Sequence, residues 1–537
     1  MELTLQQFLF EKEPTRFELL NYTSEKQNKN FLVQIFRNHS FELVEHTITP
    51  YLDYAGISID FKYSGYDDSL SFSELRPEAD LIILWIDATR YSSRPIQSFL
   101  KERVSFLQEH YNKHILIIIY GEEIQIEMPG VTTWNLSSLQ NDMKASILDQ
   151  RAEPVTGTVL SRKALLRISK ILGLRYLPSI LCPNIKAVVV DLDNTLYCGV
   201  LGEEGIEKIV LSDGHNTLQM MLKELTKQGI FLCVVSKNDI RDVNMLLEQR
   251  TDFPLRKEDF TFISASWDPK PKMIAQIAEK LNINPDSMLF IDDNIGELQS
   301  VAAAFPQIKC IHALENATIT CQILELFPGL YRISSSNEDH IRKQDVQANI
   351  ERNELQRSMS SEDYIRSLQL HLVYDMDNKA QIIRISELSN KTNQFIFNYR
   401  RYSEKEIETR IESNAYHVVS ISLSDRLSDS GLIGVCVGKD NSDYIIIEEC
   451  FISCRALGRG IDDVIILGAI KVICDSFKKN NIQVLFQKGP RNIPAEQFIM
   501  KHLKAHLDNP APFHYDIPDD LIDIQYISHY KEAKNAG

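Results

Sequence analysis

Residues 187–205 read AVVVDLDNTLYCGVLGEEG. The run AVVV is short, apolar and mostly β-branched, the pattern of a strand buried in a parallel sheet. It ends in Asp191 and Asp193, with Leu192 between them. Two carboxylates that close repel unless a cation lies between them. In a parallel α/β sheet, ligands sit beyond the carboxyl ends of the strands. Oxygen-only ligands with room for a substrate phosphate suit Mg²⁺. Strand alternation is expected to fail here, so that both aspartates turn toward one crevice.

Three later stretches supply what such a crevice needs. VVSKND puts Ser236 at the end of the next apolar strand, followed by Lys237 and Asn238, where a phosphate oxygen would be held. SWDPKPK offers Lys270 and Lys272, point charges suited to a phosphoryl group. LFIDDNIGE ends a further strand in Asp292 and Asp293, additional acidic metal ligands. A lone DxD is as easily a solvated loop; hydroxyl, lysine and acid pair arriving in order at strand ends argue for a site. Between Asp193 and a helix starting near Asn216 there is room only for a short flap, so no large cap domain covers the crevice.

The bulk numbers agree with a globular enzyme. At 537 residues the chain has room for three or four domains of about 150 residues each. Hydrophobic residues make up 44% and charged residues 25%, ordinary for a globular chain. A net charge of −16 argues against broad nucleic-acid binding. The start MELTLQQFLFEKEPTRFELL carries acids where a signal peptide would carry bases. The apolar runs LIILWI and HILIIIY fall far short of the roughly 18 residues of a membrane span. Nine scattered cysteines without a CxxC pair indicate neither a zinc site nor a disulfide framework. A reducing, cytoplasmic setting is expected, without membrane or nucleic-acid partners.

Alternating strand-like and helix-like stretches predict a first α/β domain over residues 1–180 and a second over 185–330. The polar segment 331–364 reads as a linker with helical parts, and 365–537 as an α+β domain. No internal repeat is present.

The four motifs DxDxT, strand-end Ser, Lys and DD resemble those of the haloacid dehalogenase superfamily. The longer wording, DLDNTLYCGVLGEEG, VVSKND, LRKEDFTFISASWDPK and LNINPDSMLFIDDN, resembles its FkbH-like branch. That resemblance implies a Mg²⁺ enzyme that takes a glyceryl unit from 1,3-bisphosphoglycerate, removes phosphate, and loads the acyl group on an acyl carrier protein for secondary metabolite biosynthesis. It implies a central capless Rossmann-like domain, flanked by a degenerate SGNH-hydrolase-like N-terminal domain and a GNAT-acetyltransferase-like C-terminal domain. Carried over by position, Asp191 would be the nucleophile, and Asp193 the acid and base, with its backbone carbonyl on the metal. Thr195 would brace the loop. Ser236 and Lys270 would hold the phosphoryl group, with Lys237 and Asn238 beside them. Asp292 and Asp293 would complete the metal site. Cys198, in the flap, would carry an acyl thioester or simply fill a turn; the branch commonly has Trp-Gly where this chain has Tyr197-Cys198.

In the C-terminal domain, SCRALGRG contains Arg455-x-x-Gly458-x-Gly460 between a strand and a helix. It resembles the GNAT pyrophosphate loop, where glycines let backbone N–H groups approach an anion. The ligand would be coenzyme A or the phosphopantetheine arm of a carrier. In NKTNQFIFNYRRYS, the residues Asn393, Gln394, Asn398, Arg400 and Arg401 would read a polar acyl group or an acidic carrier surface. The plainer alternative is a strand with a solvated basic end. In the N-terminal domain Ser40 stands where an SGNH nucleophile would, yet the GDS motif is absent and no hydrolase activity is expected there. Two readings compete with carrier loading: a stand-alone phosphatase of a small phosphorylated molecule, and a non-catalytic scaffold that docks carrier proteins.

Overall fold

The computed structural model describes residues 2–24, 28–65, 70–91, 95–143, 146–281, 283–333, 348–349, 351–352, 355–356, 358–392, 394–453, 456–457, 459–489, 492–518 and 522–529. The chain divides into two compact units, Met1–Glu279 with Ile283–Ser335, and Lys280–Asn282 with Ser336–Gly537.

The first unit contains two parallel sheets. One has the order β2-β1-β3-β4-β5, with β1 Lys29–Arg37, β2 Ile57–Tyr63, β3 Leu81–Asp87, β4 Ile115–Tyr120 and β5 Val131–Asn135. All seven residues of β3 are buried, as expected of a strand covered on both faces. Leu81, Ile83 and Trp85 meet the helices Glu42–Ala55 and Arg162–Ile171 on one side. Ile82, Leu84 and Ile86 meet the helix Ile96–His110 on the other.

The other sheet has the order β10-β9-β6-β7-β8, with β6 Ala187–Val190, β7 Phe231–Ser236, β8 Phe262–Ala265, β9 Met288–Asp292 and β10 Lys309–His312. The first strand in sequence thus lies at the centre. The chain moves outward through β7 and β8 on one side, then returns to β9 and β10 on the other. Such a reversal opens a crevice at the carboxyl ends of the two strands that flank it, here β6 and β9. Ser212 caps the helix Asp213–Lys227, and Asn294 caps the helix Ile295–Ala304, through side-chain oxygens that accept backbone N–H groups.

The second unit is built on a mixed sheet of order β17-β16-β15-β14-β13-β11-β18. Its strands are β11 His371–Met376, β13 Tyr416–Ser424, β14 Asp429–Asn441, β15 Tyr444–Ile452, β16 Asn481–Val484, β17 Ala511–Pro512 and β18 Asp523–Ser528, with β12 Phe395–Ile396 paired to β15. The helix Asp462–Phe477 covers one face, and the helices Ile382–Lys391 and Glu404–Glu412 the other. Asp425–Ser428 turns between β13 and β14, closed by the Asp425 N–H on the Ser428 carbonyl at 2.9 Å. Of the segment read as a linker, residues 334–347 lie outside the described residues; the helix Ser361–Leu368 closes it.

Candidate active site

The ladder between β6 and β9 runs one residue past the strand: Asp191 N–H donates to the Ile291 carbonyl at 2.9 Å. Strand alternation does not fail here, contrary to expectation. Leu192 is buried in the core beside Val190, while Asp191 and Asp193 on either side of it both line one cavity. Residues i and i+2 of an extended chain share a face, so the DxD spacing alone brings both carboxylates to one side. Asn194 then takes a left-handed conformation, φ 52°. Its side chain accepts the Gly199 N–H at 3.0 Å, which starts the flap.

The cavity, of about 140 Å³, is lined by Asp191, Asp193, Ser236, Lys237, Lys270, Asp293, Asn294 and Glu297. Asp191, Asp292 and Asp293 offer carboxylate oxygens within 4.8 Å of one another. Lys270, the first residue of the helix Lys270–Leu281, is buried with its ammonium 3.0 Å from Asp191 Oδ1 and 2.6 Å from Asp292 Oδ2. Asp292 Oδ1 accepts the Asn294 N–H at 2.9 Å. Burial pushes the Asp191 carboxyl up to about 6, against the pull of Lys270 and with the help of the Asp292 charge. Burial also raises Asp292 and Asp293.

Three acids against one ammonium leave two negative charges without protein compensation when all are ionised. Asp191 Oδ1, although buried, accepts no well-directed hydrogen bond. An oxygen-only, doubly negative cluster of this kind fits Mg²⁺. The crevice is an acidic cluster whose donor set suits a divalent cation.

Asp193 stands apart from that cluster. Its Oδ1 accepts the Tyr197 hydroxyl at 2.8 Å and the Leu201 N–H at 2.9 Å, and its Oδ2 accepts the Asn238 amide at 2.8 Å. Asp193 thus lines the cavity with a carboxylate already held by three protein donors. The second Asn238 hydrogen bond goes to Ser236 Oγ at 3.0 Å. Ser236 is buried at the end of β7, and its carbonyl accepts the Ser266 N–H, which ties the lysine-bearing loop to the site. Lys237 pairs with Glu297 at 2.5 Å.

Other expectations meet the structure differently. Thr195 is buried, but its Oγ1 has no hydrogen-bond partner, so a brace through that hydroxyl is not seen. Cys198 is exposed, pairs through its backbone with Val210, and is not among the residues lining the cavity. Lys272 is also outside the lining; it pairs with Asp268 one helical turn back, at 3.2 Å. Tyr197, noted in the sequence only as a departure from Trp-Gly, and Asn294 and Glu297 had no role assigned from sequence. Asn294 and Glu297 stand within five residues of Asp292, and Tyr197 within four of Asp193; that proximity was the only available signal.

In the second unit, Arg400 is an internal partner of Glu448 at 2.5 Å, and Arg401 donates to the Ser389 and Thr392 carbonyls. Both guanidinium groups thus have partners within the domain, while the Arg400 side chain stays partly exposed. Gln394 is half-buried next to β12. Gly460 has φ 78° and open space around it. Asn393, Arg455 and Gly458 lie outside the described residues. In the first sheet, Ser40 donates to Glu42 Oε2 at 2.8 Å. Among the described residues no histidine hydrogen-bonds to its hydroxyl.

Residues 212–304 match the family model of haloacid dehalogenase-like hydrolases. The N-terminal part of protein BF1531 from Bacteroides fragilis, containing a phosphatase domain complexed with Mg, is similar at 20% identity and a TM-score of 0.46, over 60% of this chain and all of that one. The 3-deoxy-D-manno-octulosonate 8-phosphate phosphatase of Moraxella catarrhalis is 18% identical with a TM-score of 0.20, over 27% of this chain and 87% of that one. A ribosomal-protein-alanine N-acetyltransferase of Brucella melitensis is 12% identical with a TM-score of 0.19, over 28% of this chain and 98% of that one. No curated protein matches the chain. Among the described residues no helix is long and apolar enough to cross a membrane.

Proposed function

We propose that this chain is a Mg²⁺-dependent phosphohydrolase working through a phosphorylated Asp191, that its substrate is a phosphorylated acyl donor of the 1,3-bisphosphoglycerate type, and that the acyl group passes to the thiol of an acyl carrier protein. The observation that carries the hydrolase is the convergence of Asp191, Asp292 and Asp293 around Lys270 at the reversal of the strand order. Carrier loading is supported by the wording of the four motifs and by the shortness of the flap.

Asp191 attacks phosphorus, and the bond to the leaving oxygen breaks as that oxygen takes a proton from Asp193. Ser236 and Lys270 hold the phosphoryl oxygens, the hydroxyl by hydrogen bonding and the ammonium by charge. Asp193, now ionised, removes a proton from water, which attacks phosphorus and releases Asp191. Mg²⁺, held by Asp191, Asp292 and Asp293, would supply further neutralisation of phosphoryl charge. Acyl transfer needs no enzyme thiol in this scheme; the carrier's own thiol attacks the acyl carbon and displaces its phosphate. The exposed Cys198, outside the cavity lining, agrees with that route.

The test is intact mass spectrometry of a holo acyl carrier protein incubated with the chain, Mg²⁺ and freshly generated 1,3-bisphosphoglycerate. A gain of one dephosphorylated glyceryl unit is expected, lost with Asp191→Asn and kept with Cys198→Ala. Phosphate release with no mass added would reduce the reading to a stand-alone phosphatase. No Mg²⁺-dependent phosphate release from this donor or from p-nitrophenyl phosphate would overturn it.

A further inference from the structure

Asp193 has been given the two proton transfers, but nothing in the motif says which of its oxygens makes them or what fixes it in place. An ionised carboxylate has about four lone-pair directions, two on each oxygen. On Oδ1 both are taken, by the Tyr197 hydroxyl at 2.8 Å and the Leu201 N–H at 2.9 Å. On Oδ2 one is taken, by the Asn238 amide at 2.8 Å. Among the described residues one direction is left, on Oδ2, in a residue that lines the cavity.

Tyr197 is the unusual member of this set. It is fully buried, and its ring stacks on Phe253 with centroids 5.8 Å apart. Its backbone belongs to the flap, bridged to Asp193 itself, and Cys198 next to it pairs with Val210. The hydroxyl therefore reaches Asp193 from a ring that cannot swing, while Leu201 reaches it from the first turn of the short flap helix. Asn238 approaches from the β7 side and shares its amide with Ser236. Two elements, flap and β7 loop, thus hold one carboxylate, which Asn238 links to the hydroxyl that is to hold the phosphoryl group.

We infer that Tyr197 is a positioning residue that occupies Asp193 Oδ1, so that the proton passes to the leaving oxygen, and later comes from water, at Oδ2 alone. This rests on the phosphohydrolase reading. Removing the hydroxyl leaves Oδ1 with a free direction and the carboxylate free to rotate. The proton donor is then misplaced in a fraction of molecules, while the metal cluster and the phosphoryl-holding groups are untouched.

The test compares wild type with Tyr197→Phe, which keeps the ring against Phe253, on two probes in single turnover with Mg²⁺. p-Nitrophenyl phosphate leaves as a stabilised phenolate and scarcely needs a proton. Glycerol 3-phosphate leaves as an alkoxide and needs one. Tyr197→Phe is expected to slow alcohol release from the alkyl ester about tenfold. Nitrophenolate release, the KM for either ester and the Mg²⁺ concentration for half activation are each expected to stay within about twofold. Equal loss on both probes, or a loss confined to KM, would mean a merely structural phenol and would overturn the inference. So would unchanged rates on both. If wild type turns over neither ester and releases no phosphate from 1,3-bisphosphoglycerate, the phosphohydrolase reading itself falls and takes this inference with it. A melting curve of Tyr197→Phe matching that of wild type keeps the kinetic outcomes from being read as misfolding.

Discussion

Two parallel five-stranded sheets in the first unit carry polar residues at their strand ends, and they use them in opposite ways. In the first sheet the strand order reverses between β1 and β3. Asp87, at the end of β3, receives the Thr89 N–H and hydroxyl and lies 3.4 Å from Arg90. The Asn38 amide exchanges two hydrogen bonds with the Asp87 backbone. Arg37 pairs with Glu42, Ser40 donates to the same carboxylate, and His39 binds Thr158 while stacked on Trp85. Asp87 and Glu42 each lie against an arginine, Arg90 and Arg37, although Arg90 also meets Glu153. In the second sheet three acids cluster beside one lysine, which pairs with Asp191 and Asp292, and Asp191 and Asp293 line a cavity. A crevice at a strand reversal comes with the fold; it becomes a reactive site where the protein leaves charge for something else to neutralise.

The contrast breaks most readily at Lys270. Replacing a buried ammonium between two carboxylates by a neutral side chain leaves charge without a partner, a change of about 3 kcal/mol or more. Lys270→Met is therefore expected to lower unfolding stability in EDTA by that order, and to regain much of it when Mg²⁺ is added, since the cation binds the folded cluster and not the unfolded chain. Phosphate turnover should be lost at the same time. Urea unfolding with and without Mg²⁺ measures this. A variant as stable as wild type in EDTA would show that the acids do not strain the apo site.

The same contrast explains what could be read in advance. Asp191, Asp193, Ser236, Asp292 and Asp293 could be placed at one crevice because they stand at or just past the ends of apolar runs, where the fold alone directs ligands, whereas Lys270 opens a helix and was found by its spacing. The alternation of strands and helices was legible too, except at sheet edges. β5 and β10 are short and only partly buried, so they lack the apolar signature of the inner strands. What could not be read was pairing. Arg400 and Arg401 looked like free cations because Glu448, which Arg400 meets, lies almost fifty residues away. Asn238 looked like a substrate contact, but its amide is spent on Asp193 and Ser236. Hydrogen bonds between distant segments leave no spacing in a sequence.

A smaller effect tests whether the first sheet is as closed as it looks. Burial, with the charges of Arg90 and Arg37, pushes His39 down to about 3 from an ordinary 6.5. The folded protein therefore keeps it neutral while the unfolded chain takes up a proton below about 6.5. Its contribution is complete above that pH and is lost as pH falls toward 3. Between pH 7 and pH 5 the loss amounts to about 2 kcal/mol. His39→Gln should flatten the pH dependence of urea unfolding by that amount relative to wild type. An unchanged slope would mean that the imidazole titrates normally and that water reaches the end of β1.

The smallest expected change is at Ser40, and it separates the two sheets most directly. If the first sheet is only structural, Ser40→Ala loses one hydrogen bond to Glu42, a cost of about 1 kcal/mol. Phosphate turnover should then match wild type, because Glu42 and Ser40 touch nothing that lines the acidic cavity. A serine that served as a nucleophile would need an imidazole within reach, and the nearest candidate in sequence, His39, instead spends its Nδ1 on Thr158. The measurement is hydrolysis of p-nitrophenyl acetate beside p-nitrophenyl phosphate. Acetate hydrolysis that vanishes with Ser40→Ala while phosphate hydrolysis persists would give the first sheet a chemistry of its own, and the internally paired strand ends would then be a resting state and not a closed one.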